Sequence, residues 1–149
     1  MNESIKKVVK FGGSSLASAE QFRKSAAIVL AEESRRFVVP SAPGKRFPED
    51  EKVTDMLLDC HRLASEGRDF YARLAAVRER YELIRTGLGL AVSLDEAFAV
   101  IEENLHKGCS RDYAASRGEY LNGILLAFYL GYAFVDAAEV VFFDEDGIF

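Results

Sequence analysis

At 149 residues the chain is one domain by length, or one part of a larger one, and its 49% hydrophobic and 29% charged residues can fill a core without any low-complexity stretch. The formal net charge of −5 argues against non-specific nucleic-acid binding, which needs a basic face. Met1-Asn2-Glu3-Ser4 opens no apolar leader, and no apolar run approaches the roughly 18 residues of a membrane span, so neither secretion nor membrane insertion is expected.

Residues 6–11 read as the first strand. Val8 and Val9 run into Lys10 and Phe11, the branched and aromatic pattern of a buried strand. Gly12 and Gly13 then break it, permitting positive φ and close approach of a ligand to the main chain. Lysine before the break and Ser14-Ser15 after it bring a cation, amides and hydroxyls to one spot, a composition suited to phosphate oxygens. A plain turn beside a solvated lysine has the same letters. The stretch is neither a Walker A loop nor a G-x-G-x-x-G fingerprint, and Gly44-Lys45 is followed by Arg46 rather than Ser or Thr.

A helix opens at Ser18 with Gln21 three residues on, a capping-box spacing, and carries Phe22, Ala26, Val29 and Leu30 on one face. A second strand at Phe37-Val38-Val39 runs into Pro40, which cannot donate to a ladder, so Ser41 stands at the carboxyl end. Strand, helix and strand with a short return give a βαβ unit with parallel strands. Ligands of open α/β sheets bind outside the strands' carboxyl ends, which puts Gly12-Gly13 and Ser41-Ala42 at one edge.

Residues 46–52 are polar and carry a proline, and read as a mobile loop. Three helical stripes follow. Val53, Met56, Leu57, Cys60 and Leu63 stop before Gly67, and Phe70, Leu74, Val77, Tyr81 and Ile84 stop before Gly87 and Gly89. Ser93 and Glu96 form a second capping box ahead of Leu94, Phe98, Ile101 and Leu105. These stripes are packed faces rather than cofactor boxes. Cys60 and Cys109 read as small thiols in a reducing compartment, and with His61 and His106 far apart no metal site is expected. After Gly108 come Ser116-Arg117-Gly118-Glu119 and then a helix with Leu121, Ile124, Leu125 and Phe128 inward, ending at Gly131. Glu119 near that helix's start is favoured by the dipole alone, and is equally a candidate ligand group. Residues 140–144, Val-Val-Phe-Phe-Asp, have the run of a buried parallel strand whose apolar edge calls for a neighbour.

The segments K-F-G-G-S-S at 10–15, V-V-P-S-A-P-G-K at 38–45, V-T-D at 53–55 and S-R-G-E at 116–119 resemble, in order, the N-terminal part of an aspartokinase of the amino acid kinase family. The likeness runs from about residue 5 to the end. It implies an α/β fold, the three-layer αβα sandwich of the carbamate kinase-like type, in which residues 62–108 resemble the aspartokinases' helical insertion and residues 1–149 form the N-terminal portion of a catalytic domain with no ACT domain. It also implies ATP-dependent phosphorylation of the L-aspartate β-carboxylate, with ATP carried as its Mg2+ complex, the entry step to lysine, threonine and methionine synthesis. By position, Lys10 matches the lysine that steadies the transferring phosphoryl group, and Gly12, Gly13 and Ser14 fall in the phosphate-facing loop. Ser41 and Thr54 match hydroxyls of the aspartate pocket, and Glu119 the carboxylate that holds the substrate's ammonium. Extra residues between Ser41 and V-T-D shift the register of Thr54. The family's catalytic domain is longer, so the chain is expected to be a piece of one, inactive alone, cytoplasmic, and able to self-associate through an exposed sheet edge. Two other readings stand beside this one: a non-catalytic kinase-like interaction module, and a kinase for another carboxylate.

Overall fold

The computed structural model describes residues 5–147; residues 1–4, read above as lacking a leader, lie outside the described residues. In chain order the elements are β1 (Lys7–Phe11), α1 (Ala19–Leu30), β2 (Arg35–Pro40), α2 (Val53–Ser65), α3 (Tyr71–Gly87), α4 (Asp95–His106) and α5 (Arg111–Leu130). Short 3-10 turns span Gly13–Leu16 and Ala137–Glu139. The expected βαβ unit is present. β1 and β2 are parallel, with Val8 opposite Phe37, Lys10 opposite Val39 and Phe11 opposite Pro40. Helix α1 starts as its cap predicts: Ser18 is extended, and its Oγ accepts the Gln21 N–H at 3.4 Å. Phe22, Ala26 and Val29 are buried, but Leu30, the last helical residue, is 60% exposed at the margin of the stripe, about 80° round from Phe22.

The two strands have one covered face and one bare face. Phe11 and Val38 pack against the hydrophobic core, while Val8, Phe37 and Val39 on the alternate positions are 67%, 54% and 49% exposed. The first strand is therefore half-covered rather than buried. Among the described residues the sheet has two strands and helices on one side, two layers of the expected three.

The core lies mainly in the helical part. Val53, Met56, Leu57 and Cys60 of α2 meet Leu74, Val77, Tyr81 and Ile84 of α3, Phe98, Ile101 and Leu105 of α4, and Leu121 and Leu125 of α5, so the three predicted stripes are packed faces. Gly67 and Gly131 take the left-handed conformation expected just past helix ends.

Other expectations are corrected. The Ser93–Glu96 capping box does not form; Ser93 Oγ instead accepts the Asp95 N–H at 3.1 Å and donates to the Asp95 carboxylate at 2.8 Å, in a short polar turn before α4. Helix α5 begins at Arg111, where Ser110 Oγ accepts the Tyr113 N–H at 3.1 Å, so Ser116-Arg117-Gly118-Glu119 lies inside the helix and the dipole account of Glu119 lapses. Phe128 is 60% exposed, the inner face at that end being Leu125, Leu126 and Ala127. Residues 140–144 are not a strand: Val140 follows a 3-10 turn, and Phe142 and Phe143 are 71% and 64% exposed. No described strand lies beside them to complete a ladder.

Candidate functional site

The carboxyl ends of β1 and β2 carry the two loops the sequence placed at one edge, and the loops touch. Ser41 N–H continues the ladder to the Phe11 carbonyl at 3.0 Å, and Gly44 N–H donates to the Gly13 carbonyl at 2.9 Å. A Cβ on Gly13 would stand 2.8 Å from the Ala42 carbonyl oxygen, and one on Gly44 2.7 Å from the Gly13 carbonyl carbon. Both glycines are needed for this approach of main chain to main chain, and neither has positive φ. Gly12 differs. Its φ is −77°, and a Cβ there would meet nothing within 4 Å, so nothing in the described fold requires glycine at that position.

Helix α5 closes the site from the covered side. Gly118 lies against Ala42, where an added Cβ would come within 2.6 Å of the Ala42 Cβ. One residue on, Glu119 Oε1 accepts the Ala42 N–H at 3.3 Å, and its carboxylate has no ion pair among the described residues. Asn122, fully buried, donates through Nδ2 to the Ser41 carbonyl at 2.7 Å, while its buried Oδ1 has no partner among the described residues. Tyr81 of α3 donates its hydroxyl to the Gly118 carbonyl at 2.7 Å. Burial first, then the nearby Glu119 charge, pushes the Tyr81 phenol well above its ordinary value, so it stays a neutral donor.

Beyond Gly44 the loop is latched rather than mobile, which corrects the sequence reading. The Arg80 guanidinium donates to the carbonyls of Gly44 at 2.7 Å and Glu51 at 2.9 Å and lies 3.2 Å from the Asp50 carboxylate, with the two side chains only 5% and 9% exposed. Asp50 also accepts from the Arg46 amide and guanidinium. The Arg46 hydrogen bond, helped by the Arg80 charge, holds the Asp50 carboxyl well below the usual carboxylate range against the opposing effect of burial. Val53 N–H at the start of α2 donates to the Pro43 carbonyl at 3.1 Å, fixing the far end of the loop.

Of the predicted site residues, Gly13, Ser41 and Glu119 are joined by direct contacts through Ala42 and Gly44. Gly12 and the exposed Ser14 adjoin them in the same turn, and half-buried Thr54 stands in the first turn of α2, next to the Val53–Pro43 bond. Lys10 lies on the bare face of the sheet, opposite the face under α5, so it and Glu119 stand on opposite faces, with no hydrogen bond or ion pair between them among the described residues. Two hollows lie elsewhere: a shallow one of about 570 Å³ along α2, bordered by Asp55, His61, Arg62 and Arg111, and a smaller one between α4 and α5. No group of three His, Cys, Asp or Glu side chains able to hold a metal ion occurs among the described residues.

Sequence reasoning missed Arg80, Asn122 and Tyr81 as supports of this edge. The sequence marks Tyr81 only as a core residue. Arg80 is three residues after Val77 and four before Ile84, on the buried stripe of α3, and Asn122 sits three after Glu119 and three before Leu125. A polar residue on an apolar stripe was the available signal.

No family model matches the chain. It is 42% identical over 142 residues to Aspartokinase 3 of Bacillus subtilis, an alignment covering 90% of this chain and 31% of the relative. The crystal structure of Clostridium acetobutylicum aspartate kinase superposes with a TM-score of 0.91 at 44% identity, covering 95% of this chain and 33% of that one. Escherichia coli aspartokinase III in complex with aspartate and ADP gives 0.65 at 27% identity, over 83% of this chain and 28% of that one. The chain thus spans about a third of the length of the relatives it matches.

Proposed function

We propose, from a chain that belongs to the aspartokinases and has the amino acid kinase fold, that these residues are the aspartate- and phosphoryl-facing part of an ATP-dependent aspartate kinase. In this reading they form the N-terminal portion of its catalytic domain, with residues 62–108 as its helical insertion. The product is 4-phospho-L-aspartate, at the head of lysine, threonine and methionine synthesis, in the cytoplasm. The aspartate and ADP bound by the Escherichia coli relative support the substrate pair. The observation that carries the reading is the Ala42–Glu119 contact, which sets a carboxylate with no ion pair among the described residues beside the point where the two strand-end loops touch.

A carboxylate nucleophile is already ionised, so phosphoryl transfer to it asks for alignment and positive charge on the moving oxygens rather than a general base. Glu119 takes the substrate's α-ammonium, and the hydroxyls of Ser41 and Thr54 orient its carboxylates. The amides of Gly12, Gly13 and Ser14 face the phosphate oxygens, with Lys10 adding its cation from the other side of the edge. Gly12 suits that task, since it has open space where a side chain would stand and no demand from the fold for glycine. ATP, as its Mg2+ complex, supplies the phosphoryl group. The described residues offer no group of three His, Cys, Asp or Glu side chains for the ion.

The bare strand face of Val8, Phe37 and Val39 favours self-association of this chain when it is alone. A non-catalytic module built on that face would assemble yet ignore aspartate. The test is a titration of the chain with L-aspartate and with succinate, which lacks the ammonium, followed by the amide NMR signals of residues 41–44. We expect L-aspartate to bind at least tenfold more tightly, and Glu119→Ala to abolish the preference. Equal responses to both acids in the unmodified chain would refute the proposal.

A further inference from the structure

The Ser41 carbonyl and the Ala42 N–H belong to one peptide unit, and α5 holds both ends of it. Glu119 Oε1 accepts the N–H at 3.3 Å, and Asn122 Nδ2 donates to the C=O at 2.7 Å. In a trans peptide these two groups point in opposite directions, and no cis bond occurs among the described residues. Residues three apart on a helix share a face and are offset by about 4.5 Å along the axis, so one helical turn straddles the peptide plane. With both ends tied, the plane cannot rotate without breaking both bonds.

We propose that Asn122 is a positioning residue for Glu119. By fixing the orientation of the Ser41–Ala42 peptide it keeps the Ala42 N–H on one oxygen of Glu119, leaving the other oxygen directed to a cationic ligand. The choice of residue agrees. Asn122 is 0% exposed, and its buried Oδ1 has no partner among the described residues. A leucine has the same branched shape and number of side-chain heavy atoms with no acceptor to orphan, so what asparagine adds there is its donor. Gly118 complements the grip, because any side chain at that position would push α5 off Ala42.

This rests on the reading of Glu119 as the ammonium-facing group, and two readouts in the same samples separate the two ideas. The first is amide hydrogen exchange. Asn122→Leu should speed exchange at Ala42 at least tenfold, although Asn122 does not touch that N–H, while amides of α2 and α3 keep their rates. Glu119→Ala should do the same, and the double variant should go no further than the larger single effect. The second is the preference for L-aspartate over succinate, which Asn122→Leu should lower about tenfold, with Glu119 still present. An unmodified chain without that preference overturns the substrate reading, and the exchange data still decide the grip. Ala42 exchange unchanged in Asn122→Leu, or raised in step with every α5 amide, overturns the positioning role. Should the leucine variant not fold, Asn122→Ser, polar but too short for the Ser41 carbonyl, carries the same test.

Discussion

Replacing Arg80 by methionine tests whether the loop beyond Gly44 is held from α3. Methionine fills much of the arginine stem's volume, so little cavity opens, and the loss falls on polar contacts. Two donations to backbone carbonyls, at 2.7 and 2.9 Å, disappear along with the 3.2 Å contact to Asp50. Hydrogen bonds from a charged group contribute about 1.5–3 kcal/mol each. An abandoned buried charge costs about 3–5 kcal/mol, but Asp50 keeps the Arg46 guanidinium and amide, so that loss is only partly felt. The expected destabilisation is therefore about 3–5 kcal/mol, a fall in Tm of roughly 10 °C for a domain of this size. Urea unfolding at pH 7, followed by circular dichroism, measures it. Lys107→Met is the control: its ion pair with Glu103 is exposed, with side chains 68% and 61% accessible, and should be worth no more than about 1 kcal/mol. An Arg80→Met midpoint within that range of the unmodified chain would refute the latch.

Asp50 titrates lower folded than unfolded, so its contribution is present at neutral pH and is lost as pH falls below the unfolded carboxyl value of about 3.9. Urea midpoints should hold from pH 7 to about 5 and drop below about 4, and Asp50→Asn should start lower at neutral pH and show a flatter acid limb. Gly13→Ala should destabilise by about 1–3 kcal/mol, since its Cβ would stand 2.8 Å from the Ala42 carbonyl oxygen, whereas Gly12→Ala should leave the unfolding midpoint within about 0.5 kcal/mol. Equal effects at the two glycines would contradict the packing described. Burial pushes the Cys60 thiol up to about 11, so an alkylating reagent at pH 8 should label it only after urea is added, as peptide mass mapping would show.

Local signals located most elements. The hydroxyl at 18, the apolar steps of α2, α3 and α4, and the glycines at 67 and 131 each act within a turn or two of chain, and each appears where expected. The two loops at the strand ends were placed together by topology alone. What escaped depends on distant partners. The run at 140–144 has strand-like residues, but a strand exists by pairing, and no described strand lies beside it. Helix α5 begins at Arg111 because Ser110 caps it, while the small and charged letters around Gly118 look like a turn until Ala42 is seen to need that space. Residues 46–52 are polar enough to read as mobile, and it takes Arg73 and Arg80, from a helix beginning nearly twenty residues later, to show them tied.

The same division explains how so small a sheet can carry an ordered edge. Two strands with one bare face are a weak platform, since an isolated pair has little apolar area to bury. The loops at their ends are nevertheless held by groups outside the sheet: Asn122 and Glu119 on the Ser41–Ala42 peptide, Arg80 on Gly44, and the α2 terminus on Pro43. Those groups stand on α5, α3 and α2, whose faces make up most of the hydrophobic core. Order at the edge therefore comes from the helical part, while the strands set direction and spacing. A consequence follows for stability. Loosening the bare face, for example by Val39→Ala at a position already 49% exposed, should cost far less order in residues 41–44 than loosening α3 or α5 beneath them.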